Sequence, residues 1–534
     1  MTFSTLSALL SGVQGTLYYR DEPLAYEELS RESARVAGGL HALGLRRGDR
    51  LALWLPNVPA WLAIFFACAR LGATCVAVNT RFKTHELSDI VRRSRCRLLV
   101  YWPGFRGIDF DAILGACDAQ SLHSLEGIIA YSEGDATLAP TQQKPVISYS
   151  RLQQDAPFTD DLGRPDSPCL MFTTSGTTKA PKFVVHGQAA LVRHAVDAAR
   201  GFGYDEADSK VLITVPLCGG FGFCNAMAAI AAQKPLIMYP TFDAAEAAGA
   251  VIRHQVTHAN ATDEMFAQML ACRSEDLPFP SVRFFGYSAL SPTSGDFPSQ
   301  AQARGLKLVG LYGSSEMQGL LALQDQDSPL PGRVAGGGLL VSSDARVRAR
   351  DADSGRVLGH NSPGELEFKG PSMMLEYFED PGATAAATTP DGWFRSGDLG
   401  CTQSDRRFTF MSRLGDAFRL SGFMVSPAEI EEVLQMHPDV GAAQVVSAVT
   451  PAGLKAVAFV VSRSNARFDE AALVQHCSRL MARFKVPTRI VEVEGFPTAA
   501  SANGSRIQKS KLREWAQQLV VEPLSASVTA STSD

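Results

Sequence analysis

The sequence predicts an α/β protein: a large N-terminal domain of parallel α/β sheets plus a β subdomain, followed by a small α+β C-terminal domain. Three observations carry this. Short continuous apolar runs recur between helix-length segments from residue 26 to residue 312, the pattern of parallel strands covered on both faces. Over 339–369 the pattern changes to short alternating strands with Gly and Pro turns. After Arg413 the remaining chain is about the length of one small domain.

Taken in order, the first helix is expected over 26–43, with Leu29, Ala34, Val36 and Leu40 near one face. A strand follows at 51–55, a helix at 60–71 and a strand at 74–78. Further strands are expected at 98–101, 170–173, 211–215, 236–239, 283–285 and 308–312. In the C-terminal part, strands are expected at 442–449 and 456–461 and helices at 427–436 and 469–480. The Ser/Thr-rich stretch 525–534 reads as a disordered tail.

Composition narrows the function. The chain has 534 residues, 46% hydrophobic and 20% charged, the balance of an ordinary globular protein with more than one core. Its formal charge of −5 is spread along the chain, and the basic clusters at 46–50 and 92–97 are short, so no nucleic-acid partner is expected. The start lacks a basic segment followed by an apolar one, and the apolar runs fall short of the ~20 residues of a membrane span. Ten scattered cysteines with no CxxC pair favour reduced thiols over disulfides or zinc. Together these point to a cytoplasmic protein without a membrane span.

The strongest local signal is the run Thr174, Ser175, Gly176, Thr177, Thr178, Lys179, followed by Pro181 and Lys182. It follows a strand and surrounds one flexible glycine with hydroxyls. Hydroxyls, backbone N–H groups and lysines can enclose and neutralise a polyphosphate. No Gly-Lys-Ser/Thr stands at the Walker A spacing. A run of this kind in isolation is more often a plain loop.

The context makes it specific. Thr174–Thr178 with Pro181 and Lys182 resembles the phosphate loop of the adenylate-forming superfamily, which includes acyl-CoA and aryl-CoA synthetases, luciferases and peptide-synthetase adenylation domains. Tyr312, Gly313, Ser314, Ser315 and Glu316 are similar to its Tyr-Gly-x-Thr-Glu motif, with Ser315 for Thr. Gly364-Glu-Leu366, Gly370-Pro371, the stretch from Asp391 to Asp398, Ser412-Arg413, Gly422 and Pro427-Ala-Glu429 follow in the family's order. The resemblance runs from about residue 10 to 515 and includes the stretch from Leu51 to Asn57 and on to Arg81.

The resemblance implies an AMP-binding domain over 1–412 and a mobile C-terminal domain over 413–524 that rotates between two half-reactions. It implies an acid–CoA ligase using ATP, Mg²⁺ and coenzyme A. Thr174 to Thr178, Lys179 and Lys182 would hold phosphates, and Tyr312, with Gly313 and Ser315 beside it, would stack on adenine. Glu316 would ligate Mg²⁺. Asp398 and Arg413 would bind the ribose, and Ser288 and Ala289 would line the adenine and acyl site. Arg419 stands where the family places a residue of the thiol-transfer conformation. Gly219, Phe221, Phe223, Tyr287 and Gly310 are expected on the acid side. Core packing is an equal reading for the three aromatic residues.

The sequence departs from the family in several places. Lys179 and Phe183 replace glycines, Gly415 stands at the hinge position, and Gly219 replaces a histidine. Arg506 replaces the lysine that bridges carboxylate and α-phosphate, with Lys509 and Lys511 nearby; a guanidinium fork is not equivalent to a compact ammonium. No carboxylate in 216–223 could pair a substrate ammonium, which disfavours an amino acid. Two alternatives follow: an acyl-AMP ligase loading a separate carrier protein, and a nucleotide-binding homologue without turnover. The acid and the oligomeric state are not legible.

Overall fold

The structure, a computed structural model, describes residues 3–105, 107–134, 143–174, 181–288, 297–330, 332–351, 354–413, 418–421, 423–425, 427–450, 453–463, 467–501 and 504–521. The chain divides into two compact units. One is built from Met1–Thr174, Pro181–Ala289 and Asp296–Gly415, the other from Asp416–Asp534. The expected tail at 525–534 lies outside the described residues.

The first unit holds two sheets. In one, the strands Val211–Ile213, Leu236–Met238, His258–Thr262, Phe284–Ser288 and Leu308–Ser314 pair in parallel. Most are short apolar runs buried on both faces, as parallel strands between helical layers must be, while His258–Thr262 also buries the polar His258 and Asn260. The pairing changes sense at Leu308–Ser314, which is parallel to Phe284–Ser288 and antiparallel to Gln318–Leu323. The sheet then continues antiparallel through Gly337–Leu340, Arg407–Arg413, Phe394–Ser404, Gly364–Lys369 and Arg346–Arg350. The β subdomain expected from 339–369 therefore extends the parallel sheet. Gln318–Leu323 is buried along nearly its whole length, so its far edge must be paired.

The second sheet repeats the plan. Val146–Ser148, Gly127–Ala130, Leu98–Tyr101, Arg50–Trp54, Thr74–Ala77 and Pro168–Thr174 are parallel. Pro168–Thr174 then pairs antiparallel with Lys182–Gly187, which pairs antiparallel with Glu376–Tyr377. In each sheet the parallel run gives way to an antiparallel hairpin, one carrying Thr174 and Lys182 and the other Tyr312.

Helix boundaries follow local chemistry. Pro59–Leu71 opens on a proline at its first position and closes on Gly72 in the left-handed region, and all its residues after Pro59 are buried. Tyr26–Ala42 buries Tyr26, Leu29, Ser33, Val36, Ala37 and Leu40, a 3.6-residue repeat. Ala34, expected on that face, is only half-buried, and its carbonyl accepts from the Phe158 N–H at 2.8 Å. The strand expected over 211–215 stops at Ile213, ahead of Pro216, which has no N–H to pair.

In the smaller unit, Val440–Thr450 and Gly453–Ser462 form an antiparallel hairpin, and Arg489–Glu492 runs parallel to the second strand. Side chains alternate across this sheet. Ala443, Val445, Ala458 and Val460 pack with the helices Pro427–Gln435 and Glu470–Leu480, whereas Val446, Ala448, Val457 and Phe459 pack against Lys509–Val521. All ten cysteines are free thiols, eight of them buried. Among the described residues no helix is long and apolar enough to cross a membrane.

Candidate active site

The site begins at the hairpin that follows Leu308–Ser314. Tyr312 is fixed on three sides. Its ring stacks on Phe368 with centroids 5.4 Å apart, meets Phe408 edge-on at 5.0 Å, and its hydroxyl donates to Asp398 Oδ2 at 2.6 Å. Asp398 is 3% exposed and lies on Phe394–Ser404, and its own N–H donates to Ser396 Oγ at 3.0 Å. Strand register sets Asp398 opposite Arg413. A buried carboxylate that accepts a charge-assisted hydrogen bond, as Asp398 does from Tyr312, has the chemistry to accept sugar hydroxyls.

The turn after Tyr312 is held by buried polar contacts. Gln318 and Leu320 adopt φ of 68° and 59°, uncommon for non-glycine residues. Gln318 Nε2 donates to the carbonyls of Ala190 at 3.1 Å and Ser372 at 3.2 Å. His186 Nε2 lies 2.7 Å from the Ser315 carbonyl, and His194 Nε2 lies 2.5 Å from the Gly319 carbonyl. A carbonyl only accepts, so both imidazoles carry their proton on Nε2. Burial pushes each of these histidines down to about 4, which leaves them neutral at neutral pH. A Cβ on Gly319 would lie 2.5 Å from the Gly220 carbonyl oxygen, so this hairpin closes directly on the helix of the acid side.

Two expected site residues meet at a third that the sequence did not single out. Tyr377 Oη donates to Glu316 Oε1 at 2.8 Å, and Lys182 Nζ lies 4.5 Å over the Tyr377 ring. Glu316 and Lys182 are both half-buried. Tyr377 reaches them because Glu376–Tyr377 pairs with Val184 and Val185, a contact of high sequence separation with no local signature. Among the described residues no group of three or more His, Cys, Asp or Glu gathers to cage a metal. A single carboxylate beside a phosphate site suits Mg²⁺, which keeps waters and binds through one or two carboxylates plus phosphate oxygens. Phe183, at a position where the family has glycine, is buried with the Arg93 guanidinium 4.7 Å over its ring, so the larger side chain is accommodated.

Three of the residues expected on the acid side, Gly219, Phe221 and Phe223, fall within the stretch 215–223. Asn57 fixes this loop by donating to the Val215 carbonyl at 3.1 Å and accepting from the Leu217 N–H at 2.8 Å. Gly219 is the N-cap of Gly220–Ala231 in extended geometry, and a Cβ there would meet only the Pro216 oxygen, at 3.7 Å. Phe221 is half-buried, and its carbonyl accepts from Asn225 Nδ2 at 2.8 Å. Phe223 is 1% exposed, with ring centroids 6.0, 5.0 and 5.7 Å from those of Trp61, Phe65 and Phe172. Tyr287 is buried in the core behind the parallel strands, and Ser288 ends its strand half-buried. A Cβ on Gly310 would lie 2.0 Å from the Ala335 oxygen, so this glycine permits backbone packing. Core packing thus accounts for Phe223, Tyr287 and Gly310, while Gly219 and Phe221 keep exposure. Burial pushes the Cys218 thiol up to about 11, which keeps it protonated and a poor nucleophile.

Several expected residues lie outside the description. Ser175, Gly176, Thr177, Thr178, Lys179, Ala289, Gly415 and Gly422 are not among the described residues, nor are the side chains of Thr174, Arg413, Arg419 and Arg506. Backbone register alone pairs Thr174 with Lys182, Arg419 with Met424 and Arg506 with Ala499. Lys509 Nζ stands 4.0 Å from Glu431 Oε1, and Lys511 is exposed.

The family model described as AMP-binding enzyme matches residues 13–378, and that of the AMP-binding enzyme C-terminal domain matches 429–503. Sulfoacetate–CoA ligase of Cupriavidus necator is 28% identical over 529 residues, covering 95% of this chain and 97% of that one. 4-Coumarate–CoA ligase 1 of Arabidopsis thaliana is 26% identical over 516 residues, covering 93% of this chain and 88% of its own. Among solved structures, an amide bond synthetase of Marinactinospora thermotolerans shares the fold with a TM-score of 0.80 at 23% identity, covering 95% of this chain and 99% of that one. The chain belongs to the AMP-binding enzyme family and is an ATP-dependent, AMP-forming ligase of the adenylate-forming superfamily.

Proposed function

We propose that this ligase activates a carboxylic acid that carries no α-ammonium group and passes the acyl group to coenzyme A. The observation that carries the reading is the pair of nucleotide-side clusters: Asp398 held by Tyr312 at 2.6 Å, and Glu316 held by Tyr377 at 2.8 Å beside Lys182. Asp398 would accept the ribose hydroxyls and Lys182 would neutralise phosphate oxygens. Glu316 would hold Mg²⁺, which supplies charge neutralisation on the phosphates when bound. A carboxylate oxygen of the acid attacks the α-phosphorus of ATP, the bond to the β-phosphate bridging oxygen breaks, and pyrophosphate leaves. Thiolate sulfur then attacks the acyl carbonyl and AMP leaves. Positioning and charge stabilisation supply most of the rate in such displacements.

On the acid side, the space at Gly219 beside the half-buried Phe221 favours a planar or branched tail near the loop 215–223. Relatives that act on 4-coumarate and sulfoacetate bracket an aromatic and a small polar acid. We place this chain nearer the aromatic or apolar end, because Phe221 is the residue of that loop that combines exposure with a large apolar surface.

The test is pyrophosphate release with ATP and Mg²⁺ against a panel of aliphatic, aromatic and sulfonated acids, each with and without coenzyme A, with products identified by mass. The expected outcome is an acyl-CoA product from an aromatic or apolar acid. Release that stops at acyl-AMP would move the acceptor to a carrier-protein thiol. ATP binding without release from any acid of the panel would place the substrate outside the aliphatic, aromatic and sulfonated classes.

A further inference from the structure

Tyr377 stands between two groups of opposite charge without belonging to either motif. It is 5% exposed, and its place is fixed by backbone on both sides: the Leu375 N–H donates to the Val185 carbonyl at 2.8 Å and the Phe378 N–H to the Phe183 carbonyl at 2.9 Å. The hydroxyl donates to Glu316 Oε1 at 2.8 Å, so one carboxylate oxygen is tied down and the plane of the group is constrained. The Glu316 backbone is held as well, its carbonyl accepting from the Met374 N–H at 2.7 Å. On the ring face, Lys182 Nζ sits 4.5 Å from the centroid, within reach of a cation–π attraction.

The consequence concerns what Lys182 and Glu316 do not do. Among the described residues they form no ion pair with each other, although both touch the same side chain. A direct ion pair would use up the charges that a phosphate and a metal ion need. A neutral phenol between them holds a cation and an anion near one another with both charges available.

We propose that Tyr377 is a positioning residue for adenylation: its hydroxyl aims Glu316 toward the metal ion, and its ring face seats Lys182 toward the phosphates. This rests on the reading of Glu316 as metal ligand and Lys182 as phosphate ligand. The two halves of the role separate chemically, because Tyr377→Phe deletes the hydroxyl and keeps the ring, whereas Tyr377→Leu deletes both.

The experiment is calorimetric titration of ATP into the parent chain and both variants, once in EDTA and once in excess Mg²⁺, with thermal midpoints recorded alongside. For Tyr377→Phe, ATP affinity in EDTA stays within about twofold, while the gain conferred by Mg²⁺ falls roughly tenfold, the size of one hydrogen bond to a charged group. For Tyr377→Leu, affinity in EDTA also falls, by roughly fivefold, the size of an exposed to partly desolvated cation–π contact. In turnover, Tyr377→Phe raises the half-saturating Mg²⁺ concentration with little change in the KM for ATP. An unchanged Mg²⁺ gain in Tyr377→Phe overturns the proposal while leaving the reading of Glu316 and Lys182 intact. Equal losses in both variants and both media, with lowered midpoints, reduce Tyr377 to a packing residue and also overturn it. A parent chain that binds no ATP in either medium fails at the underlying reading, and the proposal falls with it.

Discussion

Tyr312 and Gly310 lie two residues apart on one strand, and they show two ways of building a site. Tyr312 projects a ring into an aromatic stack and sends its hydroxyl to Asp398. Gly310 lets the backbone at Ala335 approach where a side chain would stand. The proposed nucleotide side is made of such polar pairs: Tyr312 with Asp398, Tyr377 with Glu316, His186 with Ser315, His194 with Gly319. The residues expected on the acid side are aromatic rings and glycines, most of them absorbed by the core. Breaking a buried polar pair leaves a donor or an acceptor without its partner, so each of these pairs is costly to lose. Apolar walls can be repacked in many ways at similar volume, so their sequence says little about what they hold.

The comparison breaks first at Glu316. Removing its charge while keeping its shape, Glu316→Gln, should lower kcat for pyrophosphate release by roughly 10²–10³-fold, the scale of losing one preorganised electrostatic contact. The folded chain should melt as before, since Glu316 is half-buried and accepts a single phenolic hydrogen bond. Turnover within a few fold of the parent would remove the nucleotide side's claim to be the reacting side.

Gly310→Ala is the matching break on the other side. The added Cβ would lie 2.0 Å from the Ala335 oxygen, which is backbone and cannot swing away. Overpacking of this kind costs about 1–3 kcal/mol. The loss should show in the denaturant midpoint, with no change in the ranking of acids among the molecules that remain folded. A stable variant with altered acid preference would return Gly310 to the pocket wall.

The buried histidines sharpen the nucleotide side by pH. His186 and His194 are pushed down to about 4 in the folded chain, chiefly by burial, with Asp197 opposing the shift at His194. Their ordinary value is about 6.5, so the unfolded chain takes up these protons first. Their contribution to stability is therefore complete above about pH 6.5 and is lost as pH falls through 4. His194→Gln keeps an N–H donor for the Gly319 carbonyl and removes one titration. The fall in unfolding free energy from pH 6.5 to 4.5 should shrink by roughly 2–3 kcal/mol. An unchanged fall would show that His194 does not carry the acid sensitivity.

The contrast between the sides also explains what could be read from the chain. Helix 26–43, helix 60–71 and most of the strands that were expected lie within two or three residues of their expected bounds, because local periodicity and terminal Pro and Gly residues mark them, whereas strands such as Gly127–Ala130, Lys182–Gly187 and His258–Thr262 were not expected at all. The continuation of the parallel sheet through 318–323 into the β strands was not, because strand pairing is non-local and two strands of similar pattern can join one sheet or two. Lys182, Glu316, Tyr312 and Asp398 were legible as motif members. Tyr377 was not, because it matters through a pairing with Val184 and Val185 nearly two hundred residues earlier. His186 and His194 carried no signal either, since a histidine on an apolar strand or helix reads as core until its carbonyl partner is known. Phe221 and Phe223 had the same residue type and differed only in what packs on them, and no spacing rule separates a half-buried phenylalanine from one enclosed by Trp61, Phe65 and Phe172.

The smallest expected effects discriminate within the acid side itself. Gly219→Ala adds a Cβ with only one neighbour, the Pro216 oxygen at 3.7 Å, at backbone angles of −112° and 147° that any residue adopts. Stability should change by less than about 0.5 kcal/mol, the usual range for a substitution that creates neither clash nor cavity. If the space beside Gly219 receives the acid, bulkier tails should lose kcat/KM by a few fold relative to slimmer ones, below the roughly 10–200-fold that one methylene can command in a tight apolar pocket. Phe221→Leu should likewise alter the ranking of acids, whereas Phe223→Leu should lower the denaturant midpoint and leave the ranking alone. If all three variants preserve the ranking, the acid lies elsewhere than the loop 215–223. If Phe223→Leu alone alters it, the ring enclosed by the core governs selectivity from behind, and the division drawn here between exposed and enclosed aromatics fails.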